Sequence, residues 1–435
     1  MQEFYPYFTN DGSPGLYSPK VDDIYHSTHG ALTEAYEKFI LPANLIEYFE
    51  KNNNVKVLDI CYGIGYNTKS FLNFYFENIY KKNFTKNKKF FSKKFYNFIS
   101  YIKSICTDNI NAPINIETVH TDNIFNNKSY KNNSENKIFI KAIDINKNLI
   151  YMSPFLKIKG KNKKMLFNNS KINSYLSEKS KNKYKLNKMI NKIILIKLIK
   201  NTPEILENRD LEEVLHSKKY RDFFEPTMRL FKRVYKTNLY KISTGDIKTA
   251  FLHNIYYRYI TLRDKNGLKS FINSNIDIIW DFNDARQSLL VDDNVYNFIF
   301  LDAFTPSKCP CLWSLEFFKL LYKHLDDNGM ILTYSSSAAV RNAFVNAGFC
   351  IGYIKNESTG ENIGTIAAKN KTLIKHNLSE FDLGLLKTKS GIMYRDKNLD
   401  AINEDIIIEH KNAVNKSNLE SVTQYKKRCK MEINK

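Results

Sequence analysis

The chain has 435 residues, 43% of them apolar and 26% charged, with a formal net charge of +21. That length buries a sizeable core and allows roughly two to three domains, and that apolar share excludes wholesale disorder. No apolar run approaches the ~20 residues that cross a bilayer, and the N-terminus lacks the basic-then-apolar order of a secretory signal.

The charge is concentrated. Residues 77–200 hold 27 lysines, no arginine and 7 acids, so this segment carries +20 of the net charge. Such a surface attracts RNA. The same composition, heavy in Asn, Ile, Tyr and Phe, also arises by drift in a genome rich in A and T. Cysteines stand at 61, 106, 309, 311, 350 and 429. Only Cys309 and Cys311 are close, and no second pair or His cluster completes a zinc site, so free thiols and no metal are expected.

In chain order, residues 31–50 carry apolar positions at helical spacing, broken near Pro42. Val55 to Ile60 reads as a short buried strand. It runs into Gly63-Ile64-Gly65 and then a helix from about Asn67 to Tyr80. A dinucleotide-type unit places the next acid-tipped strand about 20 residues after the glycines. Here the best candidate is Ile138 to Ile145, carrying Asp144, far beyond that spacing. The excess, residues 82–136, is Lys/Asn-rich and reads as a surface insertion.

Residues 157–270 look mostly helical, with helices around 185–200, 204–218 and 223–235 and an aromatic-rich face over 247–262. The apolar stretch Met189 to Ile199, interrupted by Lys192 and Lys197, reads as a buried or interfacial helix. Short strands return at 275–280, 295–301, 330–334, 350–354 and 364–368. They alternate with helices and end in an antiparallel pair, which is α/β rhythm. The last ~40 residues read as a charged tail or an extra surface helix. The expected organisation is an N-terminal cap (1–50), a first half-domain (51–81 and 137–156), the insertion (82–136), a helical segment (157–270), a second half-domain (271–396) and a charged tail (397–435).

Four sites offer chemistry, three of them with a plainer alternative. Gly63 and Gly65 permit a tight turn and close backbone approach to a ligand. The third glycine of the dinucleotide fingerprint is missing, with Thr68 at that offset. Asp144 would accept hydrogen bonds from a ribose diol, or serve as a surface aspartate in a turn. Asp284, in Asn283-Asp284-Ala285-Arg286, would receive an adenine amine or simply cap a helix. Asp302 follows the apolar run Phe298-Ile299-Phe300-Leu301, so its carboxyl is delivered to a poorly hydrated sheet edge. Desolvation raises a carboxyl pKa, which suits proton acceptance near neutrality. Its alternative is again a cap. Trp313, beyond the stiff turn with Pro306 and Pro310, can wall a pocket. The loop Tyr25-His26-Ser27-Thr28-His29 is a poor metal site and reads better as a polar loop over a cofactor.

Taken in order, the strings DGSPGLYSP (11–19), YHSTHGALTEAYEKFI (25–40), LDICYGIGYN (58–67), DAR (284–286), LDAFTPSKCPCLW (301–313), TYSSSAAVRNAFVNAGF (333–349), GTIAA (364–368) and MYRD (393–396) resemble the MnmC-type methyltransferases of transfer RNA. The resemblance is to the single-domain branch without the flavin oxidase, in its cyanobacterial and plastid-like form. It implies a Rossmann-like class I methyltransferase using S-adenosyl-L-methionine. The implied reaction is N-methylation of 5-aminomethyl-(2-thio)uridine at wobble position 34. By the family pattern Asp302 stands next to the accepting amine. Gly63, Gly65, Asp144, Asp284 and Ala285 would bind cofactor, and Tyr25, Ser27 and Glu34 would close over it. Phe304 and Trp313 would pack on the flipped base, and the lysines would track transfer-RNA phosphates.

Asn283 replaces the family's glycine, and the Lys/Asn-rich insertion is unusual. The implied compartment is the cytoplasm, with the plastid stroma as the alternative. Two other readings share part of the pattern: a spermidine-synthase-like aminopropyltransferase and a non-catalytic RNA-binding relative.

Overall fold

Alternation along two central strands sets the architecture. In β4 (Asn54–Ile60), Val55 and Val57 face one layer while Leu58 and Ile60 face the other. In β7 (Tyr296–Leu301), Phe298 and Phe300 join the first layer, and Ile299 and Leu301 the second. Strands buried on both faces in this way need helices on both sides of the sheet. The computed structural model describes residues 4–80, 136–156, 184–202 and 274–433, with isolated positions between 204 and 272. The insertion (except residue 136), most of the helix expected at 204–218, the helix expected at 223–235 and the aromatic face at 247–262 lie outside the described residues.

Among the described residues the sheet has seven strands, in the order β6-β5-β4-β7-β8-β10-β9. The other members are β5 (Lys137–Ile143), β6 (Ile276–Asp281), β8 (Leu325–Thr333), β9 (Cys350–Lys355) and β10 (Asn362–Ala368). Neighbours from β6 to β8 pair in parallel, and β10 runs antiparallel to both β8 and β9. The order therefore reverses between β4 and β7, where Ile60 pairs with Leu301. In such α/β sheets ligands bind outside the carboxyl ends of the strands at that point.

One face is covered by the N-terminal helix (Leu32, Ala35, Phe39), by Tyr66–Phe74 (Phe71, Leu72) and by Lys188–Asn201 (Ile190, Ile194, Leu198). The last is the apolar run read above as a buried or interfacial helix. Its Lys197 is only 2% exposed, and burial lowers the ammonium pKa to about 8. The other face is covered by Ala285–Leu290, Leu315–His324 and Ala338–Asn346, with Phe318 stacked on Phe344 at 3.9 Å.

Three features differ from the sequence-based expectation. An antiparallel sheet of β1 (Tyr5–Phe8), β2 (Pro14–Ser18) and β3 (Asp23–Ile24) precedes the first helix. Its strands are too short and too punctuated by Pro and Gly to show a period. The strand expected at 330–334 begins earlier, at Leu325, directly after its helix. The charged C-terminal segment is two helices, Asn403–Lys416 and Val422–Ile433, with Ile406 and Tyr425 buried. Both helices are amphipathic but rich in charge, so their few apolar positions do not stand out in the sequence.

Candidate active site

β4 ends at Ile60, and the chain turns through Cys61 to Gly65 into the helix Tyr66–Phe74. Gly63 and Gly65 have φ of 55° and 80°. At Gly63 a Cβ would meet only the Cys61 carbonyl and the Tyr25 ring, both at 3.8 Å, so the left-handed backbone alone demands glycine. At Gly65 a Cβ would come within 2.4 Å of the Tyr62 ring. That ring cannot easily retreat. Its hydroxyl meets Ser153 Oγ at 3.0 Å, and Ser153 Oγ donates to the Ile64 carbonyl at 2.8 Å. Gly63→Ala is therefore expected to cost about 1–2 kcal/mol, the left-handed penalty alone. Gly65→Ala should cost clearly more. Denaturant unfolding of both variants checks the order; equal losses would mean Tyr62 yields freely.

Asp144 follows the end of β5 and is buried. Its carboxylate accepts from the Gly63 N–H at 2.7 Å and the Asn146 N–H at 2.8 Å. Burial nevertheless pushes its pKa up to about 6. A carboxylate offers about four lone-pair sites, and donors among the described residues take two. The acceptor positions left over, on a buried acid beside a glycine backbone with no Cβ, suit the adjacent hydroxyls of a ribose as donors.

Asp302 follows β7, and its N–H donates across the switch point to the Ile60 carbonyl at 3.3 Å. Oδ2 accepts from Asn67 Nδ2 at 3.0 Å. Burial raises this carboxyl to about 7; Glu34 pushes the same way, while Asn67 and Lys38 oppose. The next residues are braced from behind, because Tyr334 donates to the Ala303 carbonyl and Trp313 Nε1 to the Phe304 carbonyl, each at 2.8 Å. Trp313 has no exposed surface and lies edge-on to Tyr334 and Phe318. The expected wall of a base pocket is thus a buttress: the indole fills the second core layer. Phe304 is half-buried, with its ring 4.9 Å from Tyr25 in an edge contact.

From the N-terminal segment, the Ser27 N–H donates to Glu34 at 3.2 Å, and Lys38 pairs with the same carboxylate. Burial alone would raise Glu34, but the Lys38 ammonium outweighs it and holds the pKa below the usual value. His26 is buried against the Tyr66 ring, and burial lowers its pKa to about 4, so it is neutral.

Asp284 behaves as the plainer alternative describes. It caps Ala285–Leu290 by accepting from the Arg286 N–H at 2.8 Å, and Arg286 Nη2 donates to it at 2.7 Å. Ala285 is buried behind this cap.

Tyr25, Ser27, Glu34, Gly63, Gly65, Asp144, Asp302 and Phe304 thus gather around the switch point. Asp284 and Ala285 stand beyond β6, the outer neighbour of β5, and Trp313 is withdrawn into the core. Sequence reasoning passed over Asn67, Asp59, Lys38 and Tyr334. Asn67 was within reach, two positions past Gly65 in a helix's first turn, but its acceptor lies 235 positions away in the chain. Among the described residues, no helix is long and apolar enough to cross a membrane, and no three His, Cys, Asp or Glu side chains converge as metal ligands.

Residues 248–371 match a family model described as S-adenosyl-L-methionine-dependent methyltransferase. An uncharacterized protein of Methanocaldococcus jannaschii is 33% identical over 172 residues, covering 37% of this chain and 47% of that protein. The tRNA 5-methylaminomethyl-2-thiouridine biosynthesis bifunctional protein MnmC of Burkholderia multivorans is 44% identical over 50 residues, covering 12% of this chain and 8% of that one. The chain thus matches less than half the length of either relative. Among solved structures, MnmC2 from Aquifex aeolicus superposes with a TM-score of 0.51 at 17% identity, covering 96% of this chain and 87% of the other. The fold and the family match define an α/β, Rossmann-like methyltransferase that uses S-adenosyl-L-methionine. The proteins it resembles include an MnmC over a short stretch and, in fold, an MnmC2.

Proposed function

We propose that this enzyme N-methylates 5-aminomethyl-(2-thio)uridine at wobble position 34 of transfer RNA, giving 5-methylaminomethyl-(2-thio)uridine. The observation that carries this reading is Asp302, a carboxylate at the strand-order reversal with one oxygen bonded by Asn67 and a pKa raised to about 7. An alkyl ammonium has no lone pair with which to attack. A carboxylate titrating near neutrality can orient the amine and accept its proton. Bound S-adenosyl-L-methionine supplies the electrophilic methyl group on a sulfonium. The protein's remaining task is to hold amine and methyl in line at near-attack distance.

In this reading the Gly63–Gly65 turn gives close approach, and Asp144 takes the ribose hydroxyls on its free lone pairs. Asp284, fixed by Arg286, and Ala285 border the adenine. Tyr25, Ser27 and Glu34 close over the cofactor. The uridine leaves the anticodon stack to react, and Phe304 is the aromatic face it meets. The catalytic unit is 51–81, 137–156 and 271–396, with 1–50 as its cap. The lysines of 77–200 draw in the phosphates, and the enzyme works beside its transfer RNA in the cytoplasm. The short match to the Burkholderia protein of tRNA 5-methylaminomethyl-2-thiouridine biosynthesis supports the choice of nucleoside.

Transfer of labelled methyl to transfer RNA from cells lacking the modification, followed by nucleoside analysis, tests this directly. Label in 5-methylaminomethyluridine or its 2-thio form is expected. Label in another nucleoside, or none, would overturn the substrate.

A further inference from the structure

Asn67 is buried in the first turn of the helix Tyr66–Phe74, between Asp59 on β4 and Asp302 just past the neighbouring β7. Its amide donates to Asp302 Oδ2 at 3.0 Å and also favours the ionised form of Asp59. Asp59 is fully buried on β4. Its Oδ2 accepts from Thr68 Oγ1 at 2.6 Å and the Thr68 N–H at 3.2 Å, while Oδ1 meets no donor among the described residues. Among the described residues no donor meets Asp302 Oδ1. The other groups that act on Asp302 are Glu34 and Lys38 from the N-terminal helix, Cys61 beyond β4 and Tyr334 beyond β8.

We propose that Asn67 is a positioning residue for methyl transfer: by occupying Oδ2 it turns Oδ1 toward the substrate amine, and as a neutral donor it separates Asp302 from the Asp59 carboxyl. The inference rests on the proposed function, which makes Asp302 the proton acceptor. An amide suits the place because it has the same shape as a carboxylate and no charge. An acid there would set three carboxyls together, and like charges side by side raise carboxyl pKa values.

The test uses the full chain as Asn67→Ala and the isosteric Asn67→Asp. The acid limb of the kcat/KM profile reports the free enzyme's essential base. It should move up by about one pH unit in Asn67→Ala and further in Asn67→Asp. Affinity for S-adenosyl-L-methionine by calorimetry should stay within threefold. A second readout needs no turnover. Protein labelled with carboxyl-13C aspartate, with the Asp302 signal assigned by its loss in Asp302→Asn, should show the same upward shift. Activity loss with an unmoved acid limb and an unmoved 13C titration would reduce Asn67 to a structural role. Wild-type protein that methylates no transfer RNA would instead overturn the functional reading, and this inference with it.

Discussion

Asp302→Asn is expected to lower methyl transfer by about 10²–10⁴-fold, the usual contribution of one acid/base group, with cofactor affinity nearly unchanged. The variant keeps the side chain's shape and loses the proton acceptor. For the wild-type enzyme the rate should rise with pH through about 7, as the carboxyl ionises. A linked stability effect follows. The folded pKa lies above the ordinary aspartate value, so the group's favourable contribution is complete below about pH 4 and is lost as pH rises through about 7. Asp302→Asn removes that loss and should leave the cofactor-free protein at pH 8 at least as stable as wild type. Thermal unfolding at pH 5 and 8, beside single-turnover kinetics, measures both. Full activity in Asp302→Asn would remove this residue from proton transfer.

Arg286→Met should produce the largest stability loss, about 3–5 kcal/mol, the range for breaking a buried ion pair by removing one partner. The Arg286 guanidinium pairs with Asp284 at 2.7 Å and with Asp396 at 2.6 Å, and it donates to the Ala401 carbonyl at 2.8 Å. The Asp396 side chain has no exposed surface, so without Arg286 its buried charge would rest on the Asp400 and Ala401 N–H groups and lose its counter-ion. Burial works against the guanidinium's charge, but its two carboxylate partners more than offset this. The same change frees Asp284 from its clamp, so weaker cofactor binding should accompany the lower unfolding midpoint. Urea unfolding and calorimetry separate the two effects. A loss below about 1 kcal/mol would show that the network is easily re-solvated.

The strand–glycine turn–helix at 54–74, the acid-tipped strands ending before Asp144 and Asp302, and the alternating second half were legible in the sequence. Each is local. Buried strands announce themselves by apolar runs, and left-handed turns by glycine. The cap at Asp284 was legible as one of two alternatives, since an aspartate before Ala-Arg caps a helix whatever else it does. What could not be read was which side chains meet. Trp313 has the composition of a pocket wall, but its indole N–H found the Phe304 carbonyl in the core. Nothing local marks the Asp396 of the MYRD string as the partner of Arg286, which reaches it across 110 residues of chain.

By itself the sequence determined the central strands, the glycine turn and the placing of Asp144 and Asp302 just past strand ends, because these follow from periodicity and backbone sterics within a few residues. Only the tertiary structure decided the strand order that puts Gly63 and Asp302 at one reversal point. It alone set the burial that lifts Asp302 to about 7 and chose the amide that holds its carboxylate. Desolvation and hydrogen-bond partnership depend on neighbours that are distant in the chain, so no local pattern carries them.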